Sequence, residues 1–320
     1  MRPTIEELMD RNTNHLQPPL PPFLHQNSQN DVEAAAINNQ DKGVPTKLGW
    51  IKGVYVKCLL NIWGVMLFLR LSWVVGQAGV IEAISIITLA NLVTLITSIS
   101  MSAVSTNGRI KGGGIYYMLS RSLGPEFGGA IGLMITLANA IAVALYVIGF
   151  CESFLDMLSQ YIGGFQGIID STNRLNDIRL IGSIIMVGIL GLAIIGMEWV
   201  SRVEVGLLGL LLIAQVDFVI GSFLPPTDAQ MANGFIGYSS ETLTSNLWST
   251  YQEQNGEQYS FFKVFAVFFP AVTGIVAGAN FSGDLKDPGD AIPKGTLAAI
   301  ATTYVSYFGY CFVIGGSTLR

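Results

Sequence analysis

Leu60-Asn61-Ile62-Trp63-Gly64-Val65-Met66 stands in the middle of an apolar run, about residues 58–76, and interrupts it. An asparagine followed shortly by a glycine weakens a helix. In hydrocarbon, every carbonyl and N–H released by such a break has to find a partner within the protein. Half-helix ends made this way are ready ion sites, carbonyls for cations and N–H groups for anions. The other reading is a continuous helix with one tolerated glycine and an asparagine bonded to a neighbour. A later run bears on the choice: Phe268-Phe269-Pro270-Ala271-Val272-Thr273-Gly274-Ile275-Val276-Ala277-Gly278-Ala279-Asn280. Pro270 removes an N–H and clashes with the preceding turn, and glycines and an asparagine follow. The two interrupted segments stand five helices apart. That is the spacing of an inverted five-plus-five repeat, with a substrate site where the broken helices meet.

Composition supports a membrane setting. Of 320 residues, 51% are hydrophobic and 12% charged, against roughly 25% charged in soluble proteins, and the mean hydropathy is +0.51. Seven apolar segments are expected, at about 58–76, 80–100, 127–157, 179–197, 203–224, 261–282 and 296–316. Each reaches or nears the ~20 residues needed to span a bilayer. The fold class is therefore an all-α integral membrane protein. A net charge of −5 excludes a basic nucleic-acid-binding surface, so no nucleic-acid partner is expected. Cys58, Cys151 and Cys311 lie in apolar runs and offer no disulfide framework. Residues 1–47 are polar, carry no apolar signal region and are expected to form a disordered tail; 48–320 form the transmembrane domain. Lys42, Lys47, Lys52, Lys57, Arg109, Lys111, Arg121, Arg202, Lys286 and Lys294 fall on one side of the bilayer. Arg70, Arg174, Arg179, Lys263 and Arg320 fall on the other. This excess puts the tail in the cytosol and the 225–260 loop outside.

Two further features stand inside the segments. Tyr146 sits at mid-depth in the third, where its hydroxyl either completes a cation shell of neutral oxygens or bonds a neighbouring helix. Arg70 and Glu152 are a candidate gate pair, or each snorkels to the outer interface. Asn280-Phe281-Ser282 matches a glycosylation acceptor by letter but lies at the inner end of its segment. Gly112-Gly113-Gly114, with Arg109, Lys111 and Arg121 nearby, lacks phosphate-loop spacing and reads as a flexible inner loop. No enzyme is expected: His15 and His25 lie in the tail, and no nucleophile constellation reaches the membrane core.

The run Leu60 to Trp73 resembles the first membrane helix of the cation–chloride cotransporters. Gly112–Gly129 resembles their first inner loop, and Phe268–Pro288 is similar to their sixth helix and the loop after it. The likeness runs from about Gly49 to the C-terminus, and Arg2-Pro3-Thr4-Ile5-Glu6-Glu7-Leu8 has a counterpart in the family's tail. Trp63 and the Gly-Gly-Gly-Ile-Tyr-Tyr run look like the sodium-dependent branch; the potassium–chloride branch usually has Phe at the Trp position. Tyr146 looks like the potassium-carrying members, where thiazide-type transporters have His. Together these favour a secondary active symporter of sodium, potassium and chloride, with a sodium–chloride or other cation–chloride symporter of the same family as the alternative.

This resemblance implies an amino acid–polyamine–organocation (LeuT-like) inverted-repeat fold, and roles for individual residues. Potassium would be held by Asn61, Ile62, Tyr146, Pro270 and Thr273. One chloride would sit near Gly64, Val65 and Met66, another near Gly274, Ile275 and Val276, and Leu60 and Trp63 would lend carbonyls to sodium. The family has Leu where Val276 stands, a backbone contact that Val preserves. Its members have twelve membrane helices and a cytosolic C-terminal domain, so the chain is expected to be an N-terminal fragment ending after the seventh helix. It would hold the first five-helix repeat and two helices of the second. The expected setting is the plasma membrane and its lipid bilayer, as a homodimer at full length. Regulatory kinases would act through the tail, although the family's threonine cluster is not visible there. No cofactor is expected beyond the transported ions. An amino-acid permease of the same fold needs an open turn in helix one, which Ile62 and Trp63 fill. A seven-helix receptor predicts an external N-terminus, and a channel needs no pair of broken helices.

Overall fold

In the computed structural model, which describes residues 47–108, 113–162, 167–168, 174–195, 197–254 and 256–320, the first apolar segment is built in pieces. A wide π-type turn at Ile51–Tyr55 leads into α1, Val56–Ile62. Trp63 and Gly64 leave the helix, and α2 resumes at Val65–Leu69. The next helix, α3, spans Leu71–Thr106 and turns sharply at Gly79, where φ is 70° and ψ 171°. That kink falls between the first two expected segments, so α2 and the start of α3 are the second half of helix one. The chain continues through α4 (Gly114–Leu123), α5 (Pro125–Tyr161), α6 (Arg174–Ile195) and α7 (Met197–Ser222). After these come α8 (Asp228–Ala232), α9 (Ser240–Ser245), α10 (Phe261–Phe268) and α11 (Pro288–Ser317). Two 3-10 stretches, Phe269–Val276 and Ala279–Asp284, stand between α10 and α11. Among the described residues only isolated bridges occur and no sheet forms. The tail up to residue 46, and with it the expected disorder and kinase contacts, lies outside the described residues, as do Arg109, Lys111 and Gly112.

Seven segments were expected, and six helices among the described residues are long and apolar enough to cross a membrane. The difference is segment one, whose break leaves each piece too short. The ends are set locally. Pro125 opens α5, where a missing N–H costs nothing. Asp287 caps α11 by accepting from the Asp290 N–H. Thr227 and Gln230 close a reciprocal capping box on α8.

The core gathers around α3 and α11, with Leu71, Val74, Ala78, Ile86 and Ala90 packed near Ile292, Ala299, Tyr307, Cys311 and Ile314. Small residues on both helices let the backbones approach. A separate cluster, Val147, Cys151, Leu155 and Ile181, joins α5 to α6. Outward from these, Leu133, Met134, Val187, Ile194 and Ile213 are each at least 68% exposed. Such a surface requires hydrocarbon or further protein around it.

Two regions differ from the sequence reading. The expected 225–260 loop is folded onto the kink of α3. A Cβ on Gly79 would lie 2.6 Å from the Trp248 carbonyl group, so only glycine fits this turn. Arg320 donates to the Trp248 and Asn246 carbonyls at 2.6 and 3.2 Å. The Glu82 carboxylate accepts from the Ser249 hydroxyl at 2.6 Å and from the Tyr251 hydroxyl. Burial, and then that carboxylate, push the Tyr251 phenol up from its ordinary value. The expected flexible inner loop is likewise partly ordered. Gly114 opens α4, and its N–H donates to the Ser282 hydroxyl at 3.1 Å, which buries the serine of the Asn280-Phe281-Ser282 motif.

Lys57 also departs from its expected place as an interfacial flank. Its side chain is 2% exposed, its ammonium lies 2.6 Å from the Glu204 carboxylate of α7, and it stands 3.6 Å above the Phe281 ring. Hydrocarbon excludes a lone ammonium, so the pair is what allows Lys57 inside. Glu204→Gln is expected to destabilise the protein by about 3 kcal/mol, the low end for a buried pair because Glu204 is partly exposed. Lys57→Met combined with Glu204→Leu should recover most of that loss. Thermal unfolding of the detergent-solubilised protein measures both; equal stability of Glu204→Gln and parent would contradict this account.

Candidate functional site

The turn that breaks helix one is held on three sides. Trp63 has ψ at 47° and Gly64 is extended at φ −91°, ψ −154°, so the helical ladder stops after Ile62. A helix end leaves its last carbonyls without partners. The Leu59 carbonyl takes the Trp63 N–H at 2.8 Å. The Ile62 carbonyl takes the Tyr307 hydroxyl of α11, also at 2.8 Å. The Trp63 indole N–H reaches the Ser306 hydroxyl at 2.7 Å. On the far side of the break, the N–H groups at the start of α2 point back towards the turn, as the first N–H groups of any helix do.

Helix six supplies the second side. Pro270 stands at the entrance of the Phe269–Val276 3-10 stretch, where α10 stops. The Thr273 hydroxyl donates to the Pro270 carbonyl at 2.8 Å. A Cβ on Gly274 would lie 2.6 Å from Asn61 Cβ and 2.9 Å from the Asn61 carbonyl carbon, so the two broken helices touch backbone to backbone. The Cys58 thiol donates to the Ile275 carbonyl at 3.4 Å across the same contact. Both interruptions are therefore present, and they adjoin.

Tyr146 supplies the third side. A Cβ on Gly64 would sit 3.6 Å from the Tyr146 ring, which lies across the break half-buried. A cavity of about 550 Å3 opens beside the turn, lined by Leu60, Trp63, Gly64, Phe150, Ser153 and Leu211 among others.

Of the residues singled out from the sequence, Asn61, Ile62, Gly64, Tyr146 and Gly274 meet at this junction. Pro270, Thr273, Ile275 and Val276 follow along the 3-10 stretch, and Leu60, Trp63 and Met66 flank the turn. The Asn61 side chain is exposed and its amide donates to the Lys57 carbonyl at 3.2 Å; Thr273 is exposed as well. The backbone of Val65 opens α2, and its side chain lies outside the described ones. Arg70 and Glu152 are not brought together: no ion pair among the described residues joins them, and Arg70 is exposed at the end of α2. The sequence reading missed Ser306 and Tyr307. The signal was present, since a tyrosine amid apolar residues in segment seven needs a partner for the same reason as Tyr146.

Among the described residues no cluster of three or more His, Cys, Asp or Glu side chains forms that could hold a metal ion. The groups gathered at the junction are neutral oxygens and N–H groups, which suit monovalent ions that exchange water for protein dipoles.

Residues 53–318 match the amino acid permease family. The chain is 51% identical over 285 residues to solute carrier family 12 member 2 of Mus musculus, covering 89% of this chain and 23% of that protein. It is 49% identical over 288 residues to solute carrier family 12 member 1 of Homo sapiens, covering 90% and 25%. It is 48% identical over 289 residues to the bumetanide-sensitive sodium-(potassium)-chloride cotransporter of Manduca sexta, covering 88% and 27%. The chain thus spans about a quarter of the length of these relatives.

The backbone contact at Gly274 gives a direct test of the junction. Gly274→Ala has to push the two broken helices apart, and overpacking of this kind costs about 1–3 kcal/mol. Gly76→Ala meets nothing within 4 Å and should be neutral or stabilising by up to about 1 kcal/mol. Thermal unfolding midpoints of the two variants against the parent check this; equal midpoints for Gly274→Ala and Gly76→Ala would mean that the helices do not touch there.

Proposed function

The chain belongs to the amino acid permease family and, within it, to the cation–chloride cotransporters, and from that membership we propose that it forms part of the ion-binding region of an electroneutral symporter of sodium, potassium and chloride. One observation carries the reading: the unwound turn of helix one lies backbone to backbone against the 3-10 stretch of helix six, with the Tyr146 ring across it. In the proposal potassium takes the carbonyls of Asn61, Ile62 and Pro270 and the hydroxyls of Tyr146 and Thr273. Chloride takes the N–H groups near Gly64, Val65 and Met66, and a second chloride those near Gly274, Ile275 and Val276. Sodium takes carbonyls of Leu60 and Trp63.

Binding cations and anions at one junction has a physical advantage. A lone ion in a low-dielectric site pays the desolvation of its full charge, whereas neighbouring opposite charges stabilise each other. Joint loading of cations and anions is then favoured at the shared site. Half-helices hinged at Trp63–Gly64 and at Pro270 supply the parts that alternating access requires. The proposed setting is the plasma membrane with residues 1–47 in the cytosol, as the Lys and Arg bias indicates. An amino-acid substrate fits less well, because Trp63 is buried and tied to Ser306 where an amine and carboxylate would need an open turn.

Tyr146→Phe tests the cation assignment in a full-length cotransporter containing this sequence. The substitution removes one oxygen and keeps the ring. A lost ligand or hydrogen bond in such a site costs on the order of 1–3 kcal/mol, which is about 5- to 150-fold in affinity. The expected result is a rise of that size in the rubidium concentration giving half-maximal bumetanide-sensitive uptake, at matched surface expression. An unchanged half-saturation would make Tyr146 a packing residue and remove the potassium site.

A further inference from the structure

Ser306 and Tyr307 are consecutive on α11, and they hold consecutive residues of the broken turn. Ser306 takes the Trp63 indole, and Tyr307 donates to the Ile62 carbonyl. Tyr307 is fully buried, and its ring packs edge-on to Phe268, with centroids 5.5 Å apart and planes at 86°. We propose that Tyr307 is a positioning residue for the cation site: its hydroxyl fixes the Ile62 carbonyl in the unwound turn and leaves that oxygen's other lone pair for the cation. This rests on the reading of Asn61, Ile62 and Tyr146 as cation ligands.

In an unbroken helix the Ile62 carbonyl would accept the N–H four residues on, from Met66. The break at Trp63–Gly64 removes that donor, and Ile62 is buried, so bulk water does not replace it. A carbonyl oxygen has two lone pairs, so one can be committed to a fixed protein donor while the other serves an ion. Tyr307 is that donor, and its own position is set by burial and by Phe268. Without the hydroxyl, the oxygen's remaining route to a partner inside the chain is to re-form its bond to Met66 and straighten helix one. Two phenols then have distinct tasks at one turn. Tyr146 faces the ion, and Tyr307 holds a ligand of the ion from behind.

The test uses Tyr307→Phe in a full-length cotransporter containing this sequence, read by bumetanide-sensitive rubidium uptake with carriers counted at the surface. Tyr310→Phe, one turn along α11 and bonded weakly to the Gln215 carbonyl at 3.5 Å, controls for the loss of a buried phenol. The expected result is a rise of about fivefold or more in half-saturating rubidium for Tyr307→Phe, with maximal uptake per surface carrier retained, and no shift for Tyr310→Phe. A fall in maximal uptake with unchanged half-saturation would make Tyr307 structural only and overturn the inference. An equal shift in Tyr310→Phe would do the same. If Tyr307→Phe is retained inside the cell, the rubidium concentration that half-stabilises the purified variant against heat gives the same comparison. Tyr146→Phe measured alongside separates the two levels. A shift in Tyr146→Phe without one in Tyr307→Phe sinks this inference alone. No shift in Tyr146→Phe sinks the cation site on which it rests.

Discussion

A backbone carbonyl released from its helix inside a bilayer has nothing around it but protein, and the arrangement at the centre of this chain answers that constraint. Ile62 gives its carbonyl to Tyr307, Trp63 gives its indole to Ser306, and Gly274 brings the backbone of helix six against Asn61. Each of these groups would be an odd choice for a plain membrane helix. Together they hold an unwound turn, and its remaining carbonyls and N–H groups are those the proposed ions would use.

The surrounding structure supports that turn. The 3-10 stretch after Pro270 lets helix six approach closely, and the α3–α11 core anchors Tyr307 at full burial. Before the turn, Lys57 is paired with Glu204 and stacked over Phe281, so the first half of helix one is tied to α7 and to the end of helix six. At the far end of its second half, the segment before α10 folds over Gly79 and is pinned by Arg320 and Glu82. The broken turn thus lies along the chain between two charged ties, Lys57–Glu204 before it and the Arg320 and Glu82 contacts after it.

Much of this was legible in the sequence. Apolar segments of spanning length marked the helices, and Asn61-Gly64 and Pro270-Gly274 marked the two breaks, because proline and glycine act through local backbone chemistry. Tyr146 could be singled out for the same kind of reason, a polar atom in an apolar run. What could not be read was who satisfies whom. Lys57 looked like an interfacial anchor, since only the fold brings Glu204, far along the chain, against it. Tyr307 carried the same signal as Tyr146 yet went unnoticed, because its role depends on a carbonyl in another helix. The outer segment looked like a polar loop, and its order comes from Gly79, Glu82 and Arg320, which lie outside it in the sequence. The Arg70–Glu152 gate pair rested on charge alone, and the described structure does not join the two.

The central claim is that the turn at Ile62–Gly64 and the stretch at Pro270–Gly274 together hold a monovalent cation. Rubidium anomalous diffraction from crystals of a full-length cotransporter containing this sequence tests it most directly. The account predicts a peak at the junction, in contact with the Asn61 and Ile62 carbonyls, the Pro270 carbonyl and the Tyr146 and Thr273 hydroxyls, with the Tyr307 hydroxyl still bonded to Ile62. A well-occupied rubidium peak elsewhere in the membrane domain, with the junction empty, would contradict it.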